Sequence, residues 1–323
     1  MRNKGQEKNA AAGNGFSLIS GEKLLTLYAS MLKCRMIEER ASALFVQREL
    51  MGSYHSALGQ EAAAVGAAID LLPEDTVCSP QGDMMVSFTR GVALDKLFRG
   101  LFARCAGTFT RAAAASEGNR LSTAAAQLNM AASAALANKI EGKRKVAVIF
   151  SGAEAALPDC WRETLDFAGA ACLPIVFVCQ NGLKTAPARL KAQTKVKDLA
   201  LKTPACGFPC ITVDGNDVVA VYRVACEAIA HARLGHGPTL IACQTWRLSA
   251  AAKKLPGKAR NRKESLCPES NDPILKMEAY LAGKGLFSTE FKQQVAAAFG
   301  PTLDAAIAAA ETPQSGLGAA VER

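Results

Sequence analysis

Histidine is almost missing from this chain, with three in 323 residues, so few positions can supply imidazole for proton transfer near neutral pH. Aromatic residues are also sparse at 6%, with two Trp and four Tyr. None of them interleaves the two basic runs, which leaves no stacking platform for bases, and no recognised nucleic-acid module is present. Nucleic acid is therefore not an expected partner. No apolar run reaches the ~18 residues of a membrane-spanning helix, and no cleavable leader is legible ahead of the folded region. A cytoplasmic protein without a membrane span is the expectation. Acidic residues are outnumbered, 29 against 38 Lys and Arg, for a net charge of +9.

Cysteine, by contrast, is plentiful at eleven. Cys34, Cys78, Cys160, Cys179 and Cys243 stand singly on strand or helix patterns, as reduced, buried thiols do, rather than in a disulfide framework. Cys206 and Cys210 form the one close pair, with no second pair to complete a zinc knuckle. With half its residues hydrophobic, a chain of this length can bury a large core.

The most informative local pattern is a pair of β-branched apolar runs, Val146–Phe150 and Ile175–Cys179, separated by a segment of helical spacing. Strand, crossover helix and strand make a βαβ unit, which requires a parallel sheet. Thr239–Cys243 is a third run of this kind, and continuous apolar strands need helices on both faces. The expected architecture is α/β, a doubly wound, mainly parallel sheet over residues 20–270 with a C-terminal helical segment over 271–312. A polar tail (1–19) and a fraying end (313–323) flank it. Ligands of such sheets sit beyond the carboxyl ends of the strands, which here are the segments Ser151–Leu157 and Gln180–Pro187. Ser20-Gly21-Glu22-Lys23 caps a long amphipathic helix, Gln60–Leu71 reads as a small-residue helix, and Asp217–Leu234 as another. Leu121–Ile140 is rich in Ala and Ser, and Gly300-Pro301 is expected to break the C-terminal helical pattern.

Gly152-Ala153-Glu154 closes the first strand and Asn181-Gly182 closes the second. Around them, in chain order, stand Tyr54-His55-Ser56-Ala57-Leu58-Gly59-Gln60-Glu61, Leu72-Pro73-Glu74-Asp75, Phe88-Thr89-Arg90-Gly91 and Val213-Asp214-Gly215-Asn216-Asp217. Gly235-His236-Gly237-Pro238-Thr239, Gln244-Thr245-Trp246-Arg247 and Asn271-Asp272-Pro273-Ile274 follow. This ordered set resembles the α-subunits of the 2-oxo acid dehydrogenase E1 component, the family of pyruvate, branched-chain and acetoin dehydrogenases. The resemblance covers about residues 20–312. It implies the thiamine-diphosphate-binding fold, with the cofactor held through Mg²⁺. It also implies decarboxylation of a 2-oxo acid, transfer of the acyl group to a lipoyl carrier, and assembly with an E1 β-type subunit beside a lipoyl transferase.

The departures from that family fall on its chemistry. Its motif opens Gly-Asp-Gly and closes Asn-Asn, and Mg²⁺ takes oxygen ligands in near-octahedral array. The aligned ligand positions are Ala153 and Gly182, which carry no side-chain oxygen, while Glu154 replaces a glycine that keeps backbone near the diphosphate. Gln81 and Asp83 stand where the resemblance implies an Arg and a His, so a phosphate-forking cation is lost and a carboxylate is gained. The loops Thr110–Gly118 and Ser249–Ala252 lack the family's His residues, which leaves His55 as the one His at a pocket position. His55, Gln81, Asp83, Gly152, Glu154 and Asn181 are therefore expected to mark a vestigial cofactor pocket, with no catalytic residue, no metal ligand and no bound cofactor. The expected protein is a degenerate α-type subunit, a non-catalytic or regulatory partner of a β-type subunit or of itself, as a dimer or an α₂β₂-like assembly. Leu121–Ile140 is expected at that interface, with Leu128, Met130 and Leu136 as larger knobs and with a bulky charge at Ala131 or Ala135 dissociating the complex but not unfolding the subunit; the alternative is a helix buried inside its own domain. The alternatives are a working enzyme with thiamine diphosphate and Mg²⁺, and a protein that binds an acidic partner through the basic runs Lys184–Lys202 and Lys253–Lys263.

Overall fold

The structure, a computed structural model, describes residues 19–47, 56–79, 83–105, 124–152, 159–181, 207–248 and 271–311. Its elements run α1 (Gly21–Gln47), α2 (Glu61–Ala68), β1 (Thr76–Cys78), α3 (Met84–Thr89), α4 (Leu94–Cys105), α5 (Ala124–Ile140) and β2 (Ala147–Gly152). They continue as α6 (Asp159–Ala170), β3 (Ile175–Asn181), β4 (Cys210–Asp214), α7 (Val218–Arg233), β5 (Thr239–Gln244), α8 (Pro273–Gly283) and α9 (Thr289–Glu311). The five strands form one wholly parallel sheet in the order β1-β2-β3-β5-β4. The three apolar runs seen in the sequence are its three central strands. β2 and β3 each extend two residues further than the runs suggested, so Gly152 and Asn181 end strands rather than lie in loops.

Alternation along these strands divides the core into two layers, because successive side chains leave a strand on opposite faces. Val148, Phe150, Val176, Val178 and Ile241 face a layer built by α1, α2, α7 and α8. Ala147, Ile149, Ile175, Phe177 and Leu240 face the other, where α5 and α6 supply Leu128, Ala131, Ala135, Trp161 and Leu165. Both faces are therefore covered, as parallel strands of continuous apolar character require. α1 starts where expected, with Ser20 Oγ accepting the Lys23 amide at 3.2 Å. α7 starts at Asp217, whose carboxylate accepts from Val219 and Ala220. Buried cysteines behave as apolar residues: Cys34, Cys78, Cys179 and Cys243 are all interior, and burial pushes the Cys78 and Cys179 thiols up to about 12.

Two expectations fail. Ala131 and Ala135 are not at a subunit interface but are fully buried against this chain's own sheet. The small-residue face of α5 serves close approach to β1 and β2, and the face left to solvent carries Asn129, Ser133 and Ala137. The second failure is at Gly300-Pro301, where α9 continues without a break. A proline inside a helix removes one backbone bond and crowds the preceding turn. Here Phe299, Leu303 and Ile307, spaced four apart across the proline, bury one continuous stripe against α1 and α4. Packing on both sides of Pro301 outweighs the local penalty.

The layer of α1, α2 and α8 is fastened by ions. Glu61 opens an otherwise Ala, Gly and Val helix and is completely buried. Arg35 on α1 reaches it at 2.6 Å and forks onto Asp272, the N-cap of α8, at 3.2 and 3.0 Å. Burial alone disfavours the Arg35 cation, but the Glu61 and Asp272 carboxylates outweigh it and hold the guanidinium firmly charged.

Two outcomes follow for stability. Arg35→Met strands two carboxylates in the interior and should cost about 3–5 kcal/mol in urea unfolding, as broken buried pairs do. A loss within the ordinary surface range would show that water, not Arg35, solvates Glu61. Ala135→Asp should unfold the chain outright rather than dissociate a folded subunit, because it places an unpaired charge in the α5–sheet core. Circular dichroism after expression separates the two results.

Candidate functional site

The carboxyl edge of the sheet gathers the ends of all five strands. Gly152 lies in register with Gln180, and Asn181 in register with Gln244, so the opening and closing residues of the βαβ motif meet on adjacent strands. The Asn181 carbonyl accepts the Thr245 amide at 3.0 Å, which extends the β3–β5 contact one residue past the strand. Asn181 is buried and Gly152 half-buried. Among the described residues, a Cβ built on Gly152 would meet nothing within 4 Å. His55, Gln81, Glu154, Ala153 and Gly182 lie outside the described residues, as do both basic runs and the loops at Thr110–Gly118 and Ser249–Ala252.

Asp83 occupies a role that the sequence reading did not assign. It follows β1 and is the N-cap of α3, its carboxylate accepting the Val86 amide at 3.1 Å. The Ser87 hydroxyl donates to the Asp83 carbonyl at 2.9 Å. Burial pushes the carboxyl up to about 6, against the pull of the Val86 and Met85 amides toward the charged form. An Asp-x-x at the head of an apolar Met-Met-Val segment is a legible cap signature.

Most of the family landmarks meet in a single buried polar cluster beside this edge. Gly59 has φ +92°, and a Cβ there would stand 2.3 Å from the Trp246 carbonyl oxygen, so only glycine fits. Its amide donates to both Glu61 oxygens at 3.1 and 3.0 Å, and its carbonyl accepts from Asn216 Nδ2 at 2.8 Å. Asn216 Oδ1 in turn accepts the Trp246 amide at 2.9 Å, and Gln60 Nε2 donates to Thr245 Oγ1 at 3.1 Å. The Leu248 amide closes the cluster on the Leu58 carbonyl at 2.9 Å. Glu38, also on α1, accepts the Ala57 amide at 3.2 Å. These residues hold the segment just after His55 against the exit of β5. They are scaffold, and Arg35 and Glu38, which the sequence reading passed over, are its counterparts on α1. The signal for Arg35 was Glu61 itself, a charge heading a helix too apolar to solvate it.

A second anchor sits at the opposite end of the sheet. Asp75 accepts the Leu72 amide at 2.8 Å and the Val146 amide at 3.0 Å, and takes both Arg233 nitrogens at 2.6 and 3.0 Å. The proline-acid turn thus fixes where β1 and β2 begin, which sets the level of their far ends.

The Asp83 environment gives a pH signature. Because the folded carboxyl titrates near 6 and the unfolded one near 3.8, the native state holds the proton longer. Stability should therefore fall as pH rises through that window and level off above it. Asp83→Asn keeps the capping acceptor and removes the buried charge, so it should unfold at higher urea concentration than the parent at pH 7. The gain should be on the order of 1–2 kcal/mol and should vanish near pH 4. A difference that does not change with pH would show that Asp83 is fully solvated.

Comparison with known proteins agrees with the landmark set. The model of the dehydrogenase E1 component family matches residues 28–315. The chain is similar to the pyruvate dehydrogenase E1 component subunit alpha of Bacillus cereus, 32% identical over 300 residues, covering 91% of this chain and 79% of that protein. The same figures hold for the subunit alpha of Bacillus subtilis strain 168. That of Staphylococcus aureus strain Mu50 is 32% identical over 282 residues, covering 86% of this chain and 75% of the relative. With a five-stranded parallel sheet flanked by helices on both faces and a family match over most of its length, the chain belongs to the dehydrogenase E1 component family, among relatives of its α-subunits.

Proposed function

We propose that this chain is a degenerate α-type subunit of the E1 family, which does not hold thiamine diphosphate and serves as a structural or regulatory partner of an E1 β-type subunit. The observation that carries this reading is the donor set at the carboxyl edge. The positions aligned with the metal ligands are Ala153 and Gly182, neither of which has a side-chain oxygen. The Asp83 carboxylate is already committed as the cap of α3, and it stands where a diphosphate would want a cation. The residues present do not fit a Mg²⁺–diphosphate group, and no chemical step is assigned through one.

The scaffold supports the assembly half of the reading. The polar cluster around Gly59, the Arg35 ions and the Asp75–Arg233 pair hold the two ends of the sheet in place without any contribution from a cofactor. A β-type subunit that meets an α-subunit across the cofactor edge would still find that scaffold. The solvent face of α5, with Asn129, Ser133 and Ala137, is the part of that helix left for contact with a partner. Placement within a larger complex that contains a lipoyl transferase, and a location in the cytoplasm, belong to the same reading. Among the described residues no helix is long and apolar enough to cross a membrane.

A second reading, a working E1 α-subunit, is favoured by the 32% identity to pyruvate dehydrogenase subunits over 91% of the chain. Glu154 would then have to supply the metal ligand that Ala153 lacks. Calorimetric titration of thiamine diphosphate with Mg²⁺ into the full chain, alone and mixed with an E1 β-type subunit, decides between them. The expected result is no heat of binding in either arm, together with co-elution of the two subunits in gel filtration. Binding at micromolar or lower concentration would establish the active reading. Absence of co-elution would remove the partner role and return weight to an acidic partner docked on the basic runs.

A further inference from the structure

Only two histidines lie among the described residues, His231 and His236, and they face each other. Their ring centroids are 5.1 Å apart with the planes inclined at 62°. The end of α7 explains the contact. Gly235 adopts φ +82°, its amide donates to the Ala232 carbonyl at 2.9 Å, and the His236 amide donates to the His231 carbonyl at 3.1 Å. This is a Schellman motif, in which the residue after the left-handed glycine returns over the helix and touches the residue five positions earlier. That contact is usually between two apolar side chains. Here it joins two imidazoles, and the glycine turn holds their backbones in fixed relation.

We propose that His231 and His236 form a bidentate site for a divalent transition cation of the zinc, nickel and copper class. The spacing matches what chelation requires. With metal–nitrogen bonds of about 2.0–2.1 Å, each ring centroid sits about 3.2 Å from the ion, and a tetrahedral angle separates the centroids by about 5.2 Å. Solvent reaches the pair from the His236 side, since His236 is exposed and His231 half-buried. His231 Nδ1 is enclosed and has no hydrogen-bond partner among the described residues, so that ring's polarity is not yet satisfied within the fold. The neighbouring cation does not oppose binding, since Arg233 is forked onto Asp75. Glu227, one helical turn before His231, adds an exposed carboxylate on the same side of α7. Among the described residues no third ligand completes the set, so water or an exogenous ligand takes the remaining positions. Imidazole selects this class of ion over Mg²⁺, which wants oxygen. The site lies just before β5 begins, at the amino end of the sheet and away from the carboxyl edge where a cofactor is expected.

The test uses the full, untagged chain freed of metal with a chelator, and NiCl₂ as the probe, because eleven cysteines compete for Zn²⁺ and reduce Cu²⁺. Calorimetry should show one Ni²⁺ per chain, with MgCl₂ giving no heat. His236→Gln and His231→Gln should each weaken binding by at least about tenfold, since either change leaves a monodentate imidazole. His236 lies beyond the helix with its side chain exposed, so its variant should keep the parent circular dichroism and decides the matter even if His231→Gln is destabilised. Parent binding absent up to millimolar Ni²⁺ would overturn the site. So would binding that both variants retain at full strength, which would place the ion on cysteine.

Discussion

The arrangement of this protein depends on one buried cation. Arg35 on α1 meets both Glu61 and Asp272, and those two carboxylates head α2 and α8. Taking three ions out of water is costly unless they satisfy one another in good geometry. The distances of 2.6 to 3.2 Å and the additional Gly59 amides on Glu61 meet that condition. Through Glu61 the ions set the conformation of Gly59, and through Gly59 they reach Asn216, Trp246 and the exit of β5. Segments far apart in sequence are thereby held at one level, which is the level of the sheet's carboxyl edge.

The geometry of that edge rests on the strands themselves. The register that brings Gly152 and Asn181 together is set by β2 and β3, whose residues are entirely apolar until the last turn of the chain. Nothing in the register depends on what a cofactor would touch. Asp83 illustrates the other side of this independence. It caps α3 whatever fills the space beyond, and burial alone raises its carboxyl. The six-residue helix it caps is by itself a sufficient structural role for this residue.

The elements that sequence reading misjudged were those whose faces are chosen by their neighbours. α5 has small residues on every side, so composition could not say which face met the sheet. The register of Leu128, Ala131 and Ala135 against β1 and β2 decided it. Pro301 carries a strong local signal for a break, but Phe299, Leu303 and Ile307 gain more by lying on one stripe than the proline loses. His231 and His236 show the same dependence on neighbours, because the left-handed Gly235 brings a residue beyond α7 back over one inside it.

The sequence by itself determined the parallel sheet, its three central strands, the helices on both faces and the family. Those follow from apolar periodicity and from motifs that are local in the chain. It also determined which atoms are missing at Ala153 and Gly182, since no folding can supply an oxygen that a side chain lacks. Only the tertiary structure decided that Glu61, Asp272, Asn216 and Trp246 form one cluster, that Arg35 bridges its two carboxylates, and that the alanines of α5 face inward. The reason is physical: hydrogen bonds and ion pairs between residues 26 to 237 positions apart leave no periodic trace in the chain.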